Sequence, residues 1–319
     1  MNVKTRIAIG IILLLCCVGG SSGQQRTVSV PRLRSNMIVT TDWLADHARN
    51  PKIVVVHVGR DRTSYDNGHI PGARFLALSD IAVTRNGVPN ELPPVADLQK
   101  VFEHLGVGDE SRVVLYGDLH GLLAARAYWT LDYLGHGDQA ALLDGGLEKW
   151  RAEERPVTKE VPSISPATFT PKVNAKVLVE REEVRRLSSE LASGTSDSVL
   201  VDARPGEQFS GEQAGEGLSR GGHIPGAVNL PWTENIESTD DPQLKPPPEL
   251  RKSWNASGVT PGKRVVVYCR TGIQASYEYF TAKFLGYDAA MYDGSMMDWT
   301  SREDAPVQST KTPANGNQR

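Results

Sequence analysis

The sequence predicts an α/β protein of two tandem domains, each a parallel sheet flanked by helices. Three observations lead to this fold class. Short apolar runs recur without alternation, which is typical of strands covered on both faces. Amphipathic segments that end at glycines lie between these runs, as helices do. The chain also repeats itself at an offset near 150 residues, which indicates a duplicated domain.

The apolar runs predict three strands in each half of the chain. They cover residues 53–58, 113–116 and 141–143, and then 199–202, 265–268 and 289–292. The segments between them predict helices over residues 97–105, 180–191 and 275–285, and a further helix that begins near Thr41. Alternation of strands with helices is the order expected of a parallel sheet.

The repeat is carried by the motif Gly-His-Ile-Pro-Gly-Ala, which occurs at residues 68–73 and again at 222–227. A strand-end arginine precedes each copy, and this alignment matches Arg60 with Arg204. Later features recur in the same order, including the Asp-Gly segments that end at Trp150 and Trp299. Because the histidine motif also occurs in the half without a cysteine, we expect it to build a turn rather than act as a base. Arg60 is interpreted as structural for the same reason.

These matches set the predicted domain boundaries. The first domain covers residues 37–155 and the second covers residues 177–304. Residues 156–176 are rich in proline and are predicted to be an extended linker. Residues 305–319 are polar and without periodicity, so we predict a disordered tail.

Residues 1–23 are predicted to be a signal peptide. A basic start precedes a short apolar run, and small residues follow it. Because the run is too short for a comfortable membrane span, we expect an exported, periplasmic chain without a stable span after cleavage. An uncleaved anchor stays open, as does lipid attachment at Cys16 or Cys17. Leu15 stands where lipidation would need a small residue, which favours simple cleavage.

Composition excludes some partners and draws attention to one thiol. The formal net charge is −3 and no basic stripe is interleaved with aromatic residues, so nucleic acid is not an expected partner. Of the three cysteines, the cleaved chain keeps Cys269 alone. Cys269 ends an apolar strand, and a glycine-containing loop and a helix follow it. Backbone amides of such a loop can favour a thiolate, which is a nucleophile.

The repeated motif, the Val-Asp-Ala-Arg strand end and the Tyr-Cys-Arg-Thr-Gly loop together resemble the tandem-domain rhodanese sulfurtransferases. The resemblance covers residues 37–299. It implies a five-stranded parallel sheet in each domain and a catalytic cysteine in the second domain only. The first-domain residue that faces Cys269 is Gly117 or Asp118, neither of which carries a thiol. No metal or organic cofactor is implied.

The resemblance also implies a mechanism and a set of site residues. Cys269 would take a sulfur from a small anionic donor and pass it, as a persulfide, to cyanide or a thiol. Arg204 aligns with an arginine that the family uses to hold the donor, and Arg270 and Thr271 are the other predicted donor-binding residues. The persulfide would be stabilised by amides of the loop that contains Gly272, Ile273 and Gln274.

The donor is less sharply predicted than the nucleophile. Family members selective for thiosulfate carry Cys-Arg-Lys-Gly, and the mercaptopyruvate type carries Cys-Gly-Ser-Gly or a similar loop. Here the loop is Cys-Arg-Thr-Gly, so Arg270 matches the thiosulfate pattern while Thr271 replaces its lysine. The sequence therefore favours thiosulfate, and 3-mercaptopyruvate stays the alternative.

Three other functions are weighed against this one. A phosphatase of the related cysteine-loop type needs Cys-x5-Arg, and that position is Ala275 here, which makes a phosphatase improbable. A redox or persulfide sensor would use the same thiolate without a defined donor. A scaffold with a vestigial site is disfavoured because Cys269, Arg270, Gly272 and Arg204 are all present.

Overall fold

A computed structural model describes residues 30–310. The predicted signal peptide, Cys16, Cys17 and residues 311–319 of the predicted tail lie outside the described residues. Within the described part of the chain, no helix is long and apolar enough to cross a membrane.

The first domain is a five-stranded parallel sheet in the order β1-β7-β6-β2-β3, with a separate antiparallel hairpin formed by β4 and β5. Its strands are β1 (Ile38–Val39), β2 (Ile53–Gly59), β3 (Arg74–Ala77), β4 (Val83–Arg85), β5 (Val88–Glu91), β6 (Arg112–Gly117) and β7 (Ala140–Leu143). Its helices are α1 (Thr41–His47), α2 (Thr63–Asp66), α3 (Leu78–Ile81), α4 (Val95–His104), α5 (Leu122–Tyr133) and α6 (Gly146–Ala152).

The second domain repeats this design with the order β10-β9-β11-β12-β8, again all parallel. Its strands are β8 (Leu178–Val179), β9 (Ser198–Asp202), β10 (Val228–Asn229), β11 (Arg264–Tyr268) and β12 (Asp288–Tyr292). Its helices are α7 (Arg181–Ala192), α8 (Gly206–Ser210), α9 (Pro247–Ala256), α10 (Ile273–Phe284) and α11 (Ser295–Thr300). The predicted fold class is confirmed.

The sheet register corrects the residue pairing between the two halves. His57 lies opposite Tyr116 in the first sheet, and Asp202 lies opposite Tyr268 in the second. His57 and Asp202 are therefore equivalent, and counting on from them makes Arg60 equivalent to Pro205 rather than to Arg204. The predicted match was wrong by one residue, because Arg60 stands three residues after His57 whereas Arg204 stands two residues after Asp202.

The two Gly-His turns are structural, as expected. The His69 ring stacks on Tyr65 with centroids 3.6 Å apart, and the His223 ring stacks on Phe209 at 3.7 Å. In each copy Nδ1 contacts the carbonyl of the residue on which the ring stacks. Both histidines are buried, and neither lines the cavity described below.

The segments after each domain pack onto it, which changes two expectations. In the predicted linker, Thr158 pairs with His69, and the Phe169 side chain is buried. The predicted disordered tail is wrong for residues 305–310, because Ala305 is buried and Gln308 pairs with His223 in the equivalent way. Each domain thus holds the extended segment that follows it along its Gly-His turn.

The two domains share one interface with approximate twofold symmetry. Helices α5 and α10 pack against each other, and a single cluster of buried apolar side chains runs through both domains. Asp293 accepts the backbone N–H of Leu92 at 2.8 Å, and the equivalent Asp144 accepts that of Leu244 at 3.0 Å. Each domain therefore anchors a loop of the other beside its own sheet.

Candidate active site

A cavity of about 380 Å³ lies between the domains and contains the predicted nucleophile. The second domain contributes the Cys269 loop and the start of α10, and the first domain contributes strand-end and hairpin residues. The lining residues are Arg60, Leu78, Pro89, Asn90, Leu119, Leu122, Gln208, Cys269, Arg270, Thr271, Ile273 and Gln274. Arginines and amides but no carboxylates are among them, so the cavity suits an anion.

The Cys269 loop is built as the sequence predicts, with a strand, a tight turn and a helix start. Gly272 adopts φ +84° immediately before α10, a conformation that favours glycine. This turn lets the Gly272 amide donate a hydrogen bond to Cys269 Sγ, with N and S 3.1 Å apart. Ile273 and Gln274 follow in the first turn of α10, where backbone amides lack helical acceptors. The Gly272 amide therefore donates directly to the sulfur, and two further amides without helical acceptors follow it in the chain.

Residues at the start of α11 form hydrogen bonds with the backbone of the same loop. The Cys269 amide donates to Ser295 Oγ at 3.1 Å, and the Ser295 hydroxyl in turn donates to the Tyr292 carbonyl at 2.9 Å. The amides of Met296 and Met297 donate to the carbonyls of Cys269 and Arg270, both at 3.0 Å. These bonds fix the backbone of the cysteine and its neighbour, so the sulfur has a defined position.

A buried ion pair joins the first domain to the loop. Arg126 of α5 is fully buried and donates to both carboxylate oxygens of Asp293 and to the Asn90 carbonyl. Asp293 lies against Gly272, because a Cβ built on that glycine would come within 2.7 Å of Asp293 Oδ1. The Asn90 amide also donates to Thr271 Oγ1 at 3.1 Å. The first domain thus braces the turn that binds the sulfur.

The predicted site residues divide into two groups. The first group lies together at the cavity or in its loop and consists of Cys269, Arg270, Thr271, Gly272, Ile273 and Gln274. Arg204 does not line the cavity. Its side chain is fully buried, with Nε 2.9 and 3.1 Å from the oxygens of Asp202 and Nη2 donating to the Gly222 carbonyl at 2.8 Å.

Arg204 instead ties the end of β9 to the Gly-His turn. Burial lowers the pKa of Arg204, but the charge of Asp202 and its hydrogen bonds raise that pKa overall, so the guanidinium stays charged. The donor contact predicted for Arg204 has no counterpart in this geometry. The two Asp202 oxygens accept from Arg204 Nε and so orient the guanidinium.

Arg60 and Gln208 are among the cavity residues that the sequence did not predict. Arg60 was interpreted as structural, yet its exposed side chain lines the cavity. Gln208 lies in α8 near the cavity, and its buried Oε1 has no partner within the described residues. The one-residue slip in the repeat alignment concealed Arg60. Nothing in the local sequence distinguishes Gln208 from a surface glutamine.

The equivalent place in the first domain is closed. Gly117 is the residue equivalent to Cys269, and a Cβ added there would lie 2.2 Å from the Val58 carbonyl oxygen. Asp118, the next residue, accepts the Ser64 hydroxyl at 2.6 Å and contacts His57 Nε2 at 3.2 Å. Although burial raises the pKa of Asp118, these hydrogen bonds lower it overall. This pocket has neither a thiol nor space for one.

Candidate metal ligands do not cluster within the described part of the chain. Among residues 30–310, no group of three or more His, Cys, Asp or Glu side chains is placed to hold a metal ion. The expectation that the reaction needs no cofactor stays a prediction.

Over residues 30–310, fold and site together define a two-domain α/β protein whose one cysteine lies in the second domain. Its sequence matches the rhodanese-like domain family over residues 40–153 and again over residues 183–302. The chain belongs to the rhodanese-like family.

Similar proteins support this assignment along nearly the whole chain. The chain is 36% identical to the "Sulfur carrier protein TtuD" of Thermus thermophilus, with 85% of this chain and 96% of that protein covered. It is 31% identical to a "Putative thiosulfate sulfurtransferase" of Mycolicibacterium smegmatis, with 86% and 98% covered. These names support rhodanese-type sulfurtransferase activity.

Solved structures share the fold at lower identity. An anaerobic ergothioneine biosynthesis enzyme from Chlorobium limicola matches with a TM-score of 0.77 at 24% identity, covering 88% of this chain and 72% of that one. The crystal structure of YnjE matches with a TM-score of 0.76 at 23% identity, covering 86% and 69%. At such identities the likeness shows the fold alone.

Proposed function

We propose that this protein is a sulfurtransferase that moves a sulfane sulfur from thiosulfate to cyanide or a thiol through a persulfide on Cys269. The observation that carries the proposal is the Gly272 amide, which donates to Cys269 Sγ at 3.1 Å in a cavity lined by arginines. Hydrogen bonds from fixed backbone amides stabilise an anionic sulfur as an oxyanion hole stabilises oxygen. Both the attacking thiolate and the persulfide carry that negative charge.

The reaction consists of two displacements at sulfur. The Cys269 thiolate attacks the outer sulfur of thiosulfate, a new Sγ–S bond forms, and sulfite leaves with the electron pair of the broken S–S bond. Cyanide carbon or an acceptor thiolate then attacks the outer sulfur of the persulfide, and the Cys269 thiolate leaves. The products are thiocyanate or an acceptor persulfide, and the enzyme returns to its starting state.

Charge in the cavity favours an anionic donor. Arg270 lies next to the nucleophile, and an arginine fork matches the oxygens of a sulfonate or a carboxylate. The names of the relatives from Mycolicibacterium smegmatis and Saccharopolyspora erythraea agree with thiosulfate. The alternative donor, 3-mercaptopyruvate, would follow the same mechanism. Two features support 3-mercaptopyruvate as the donor. Thr271 replaces the lysine of the thiosulfate pattern, and the cavity has an apolar wall and enough volume for an organic donor.

Steady-state kinetics test the proposal. With cyanide as acceptor, we expect turnover with thiosulfate and parallel double-reciprocal lines when donor and acceptor are both varied, because the first product leaves before the second substrate reacts. Faster turnover with 3-mercaptopyruvate than with thiosulfate would replace the donor but keep the mechanism. Absence of turnover with both donors would overturn the proposed function.

We also propose that the mature protein works outside the cytoplasm, on the basis of the leader-like residues 1–23. N-terminal sequencing of the protein isolated from its own cells tests this. A start near residue 24 in the periplasmic fraction is expected, and an intact Met1 in the cytoplasmic fraction would contradict it.

A further inference from the structure

The cavity contains a cation that comes from the domain without a cysteine. Arg60 follows Gly59, the last residue of β2, and its exposed side chain lines the same cavity as Cys269. Within residues 30–310, the Arg60 guanidinium takes part in no ion pair and no side-chain hydrogen bond. An unpaired arginine beside a reactive thiol is free to bind an anion.

Neighbouring carboxylates do not neutralise Arg60. Asp61 accepts the Thr63 amide at 2.8 Å, and Asp118 accepts the Ser64 hydroxyl at 2.6 Å. Among the described residues, neither carboxylate lies within ion-pair distance of the Arg60 guanidinium. The positive charge of Arg60 therefore faces a cavity whose lining contains no Asp or Glu.

The other cavity arginine is already partly engaged. Arg270 Nη1 donates to the Glu216 carbonyl at 3.0 Å, and its Nη2 lies 3.8 Å from the Glu216 carboxylate. Thr271, the next residue in the loop, also lines the cavity but carries no charge. A dianionic donor such as thiosulfate needs more positive charge than Arg270 supplies, and Arg60 is the cavity residue that can supply it.

We propose that Arg60 is a specificity residue that binds the anionic end of the sulfur donor while Cys269 takes the sulfur. This inference rests on the proposed function and adds to it a binding role for the first domain. The donor class is a sulfur compound with a sulfonate or carboxylate, since a guanidinium binds the paired oxygens of either. Donor binding is then divided between the domains, with one cation from each.

Replacement of Arg60 tests the inference through donor kinetics. In Arg60→Ala we expect the KM for thiosulfate to rise roughly ten- to hundredfold, the effect of a lost charge-assisted hydrogen bond. The KM for cyanide, and kcat at saturating thiosulfate, should stay within about twofold because neither depends on the donor's anionic end. Arg60→Lys keeps the positive charge but loses the paired N–H donors of the guanidinium. Its KM for thiosulfate should therefore lie between those of wild type and Arg60→Ala.

Arg62→Ala is the matched control. Arg62 is two residues further on, pairs with Asp66 at 3.0 Å and lies outside the cavity lining, so its loss should leave the KM for thiosulfate unchanged. A KM within about twofold of wild type in Arg60→Ala would overturn the inference. An equal rise in both variants would also overturn it, because it would point to a general charge effect.

A persulfide measurement separates this inference from the proposed function. Arg60→Ala incubated with saturating thiosulfate should still load one sulfur onto Cys269, which shows that the mechanism stands without Arg60. If wild type loads sulfur only from 3-mercaptopyruvate, the same KM comparison applies to that carboxylate donor. If wild type loads sulfur from neither donor, both the proposed function and the role of Arg60 are wrong.

Discussion

At the scale of single residues, the position of the Cys269 sulfur depends on hydrogen bonds that fix the backbone of its loop. The cysteine is 1% exposed, so a donor meets the sulfur only from the cavity. Its amide is held by Ser295, and its sulfur accepts from Gly272. In the proposed mechanism, the nucleophilicity of Cys269 therefore depends on a fixed backbone rather than on a neighbouring base.

Arg126 is the residue whose loss should affect this backbone most. Arg126→Met would leave Asp293 buried and unpaired beside Gly272, which costs about 3–5 kcal/mol of the free energy of unfolding. We also expect a lower kcat, because the turn that donates to the sulfur loses its brace. Chemical denaturation and steady-state kinetics measure the two effects.

The matched control for Arg126→Met is the double variant Arg126→Met/Asp293→Asn. An asparagine retains an oxygen for the Leu92 amide but carries no charge, so the double variant should be more stable than Arg126→Met alone. If the double variant is less stable than the single one, the account of Arg126 as a charge partner is contradicted.

At the scale of elements, the β4–β5 hairpin connects the first domain to the Cys269 loop. Asn90 adopts φ +65° in this hairpin, and its side-chain amide donates to Thr271 Oγ1. The same hairpin contributes Pro89 to the cavity lining. A small element of one domain therefore helps to shape the site of the other.

Asn90→Gly isolates this contact, because glycine accepts the positive φ and removes only the side chain. Loss of one hydrogen bond to the loop should lower kcat/KM roughly two- to tenfold. Asn86→Gly is the matched control, since Asn86 has φ +53° in the exposed turn of the same hairpin. Equal kcat/KM values for the two variants and wild type would show that the contact has no influence on the site.

Among the elements, the central strands and the Cys269 loop could be predicted from the sequence. The central strands are buried on both faces, so they appear as continuous apolar runs, and the predicted strands agree with β2, β6, β7, β9, β11 and β12. The Cys269 loop is a local structure within a few residues, and its geometry was predictable for that reason. Both structures could be predicted because the residues that determine them are neighbours in the sequence.

Residues that depend on assembly of the two domains could not be predicted. Arg126, Asn90 and Arg60 reach the site across the interface, and their partners lie far away in the sequence. The sequence predicts a donor contact for Arg204 because its strand end resembles a binding motif, whereas its guanidinium forms a buried ion pair with Asp202. A one-residue offset in the predicted alignment was enough to match Arg60 with Arg204 instead of with Pro205.

At the scale of the whole molecule, the two domains form one continuous core around α5 and α10. Glu278 lies in this core, fully buried, and accepts from Asn235 at 2.7 Å. Burial raises the pKa of Glu278 to about 8, although the Asn235 hydrogen bond opposes this shift. The folded protein therefore holds a proton that the unfolded chain, with an ordinary pKa of 4.5, releases.

The stability of the whole molecule should depend on pH through this proton. Because unfolding releases it between pH 4.5 and about 8, the free energy of unfolding falls as pH rises through that window and levels off above it. The slope from one group is about 1.4 kcal/mol per pH unit. Glu278→Gln should remove this part of the pH dependence in denaturation experiments. The free energy of unfolding of the variant, relative to that of wild type, should therefore increase as the pH rises towards 8.

Glu237→Gln serves as the control for Glu278→Gln, because Glu237 is an exposed carboxylate of the same domain. Its pH dependence should match that of wild type. If Glu278→Gln also matches wild type between pH 5 and pH 8, the buried carboxyl does not hold its proton in the folded state.

The central claim concerns Cys269, and intact-mass measurement of the protein after treatment with thiosulfate tests it most directly. We expect wild type to gain the mass of one sulfur atom and to lose it when cyanide is added. Cys269→Ser should gain nothing under the same conditions. Absence of the gain in wild type with both thiosulfate and 3-mercaptopyruvate, or its persistence in Cys269→Ser, would contradict a persulfide at Cys269.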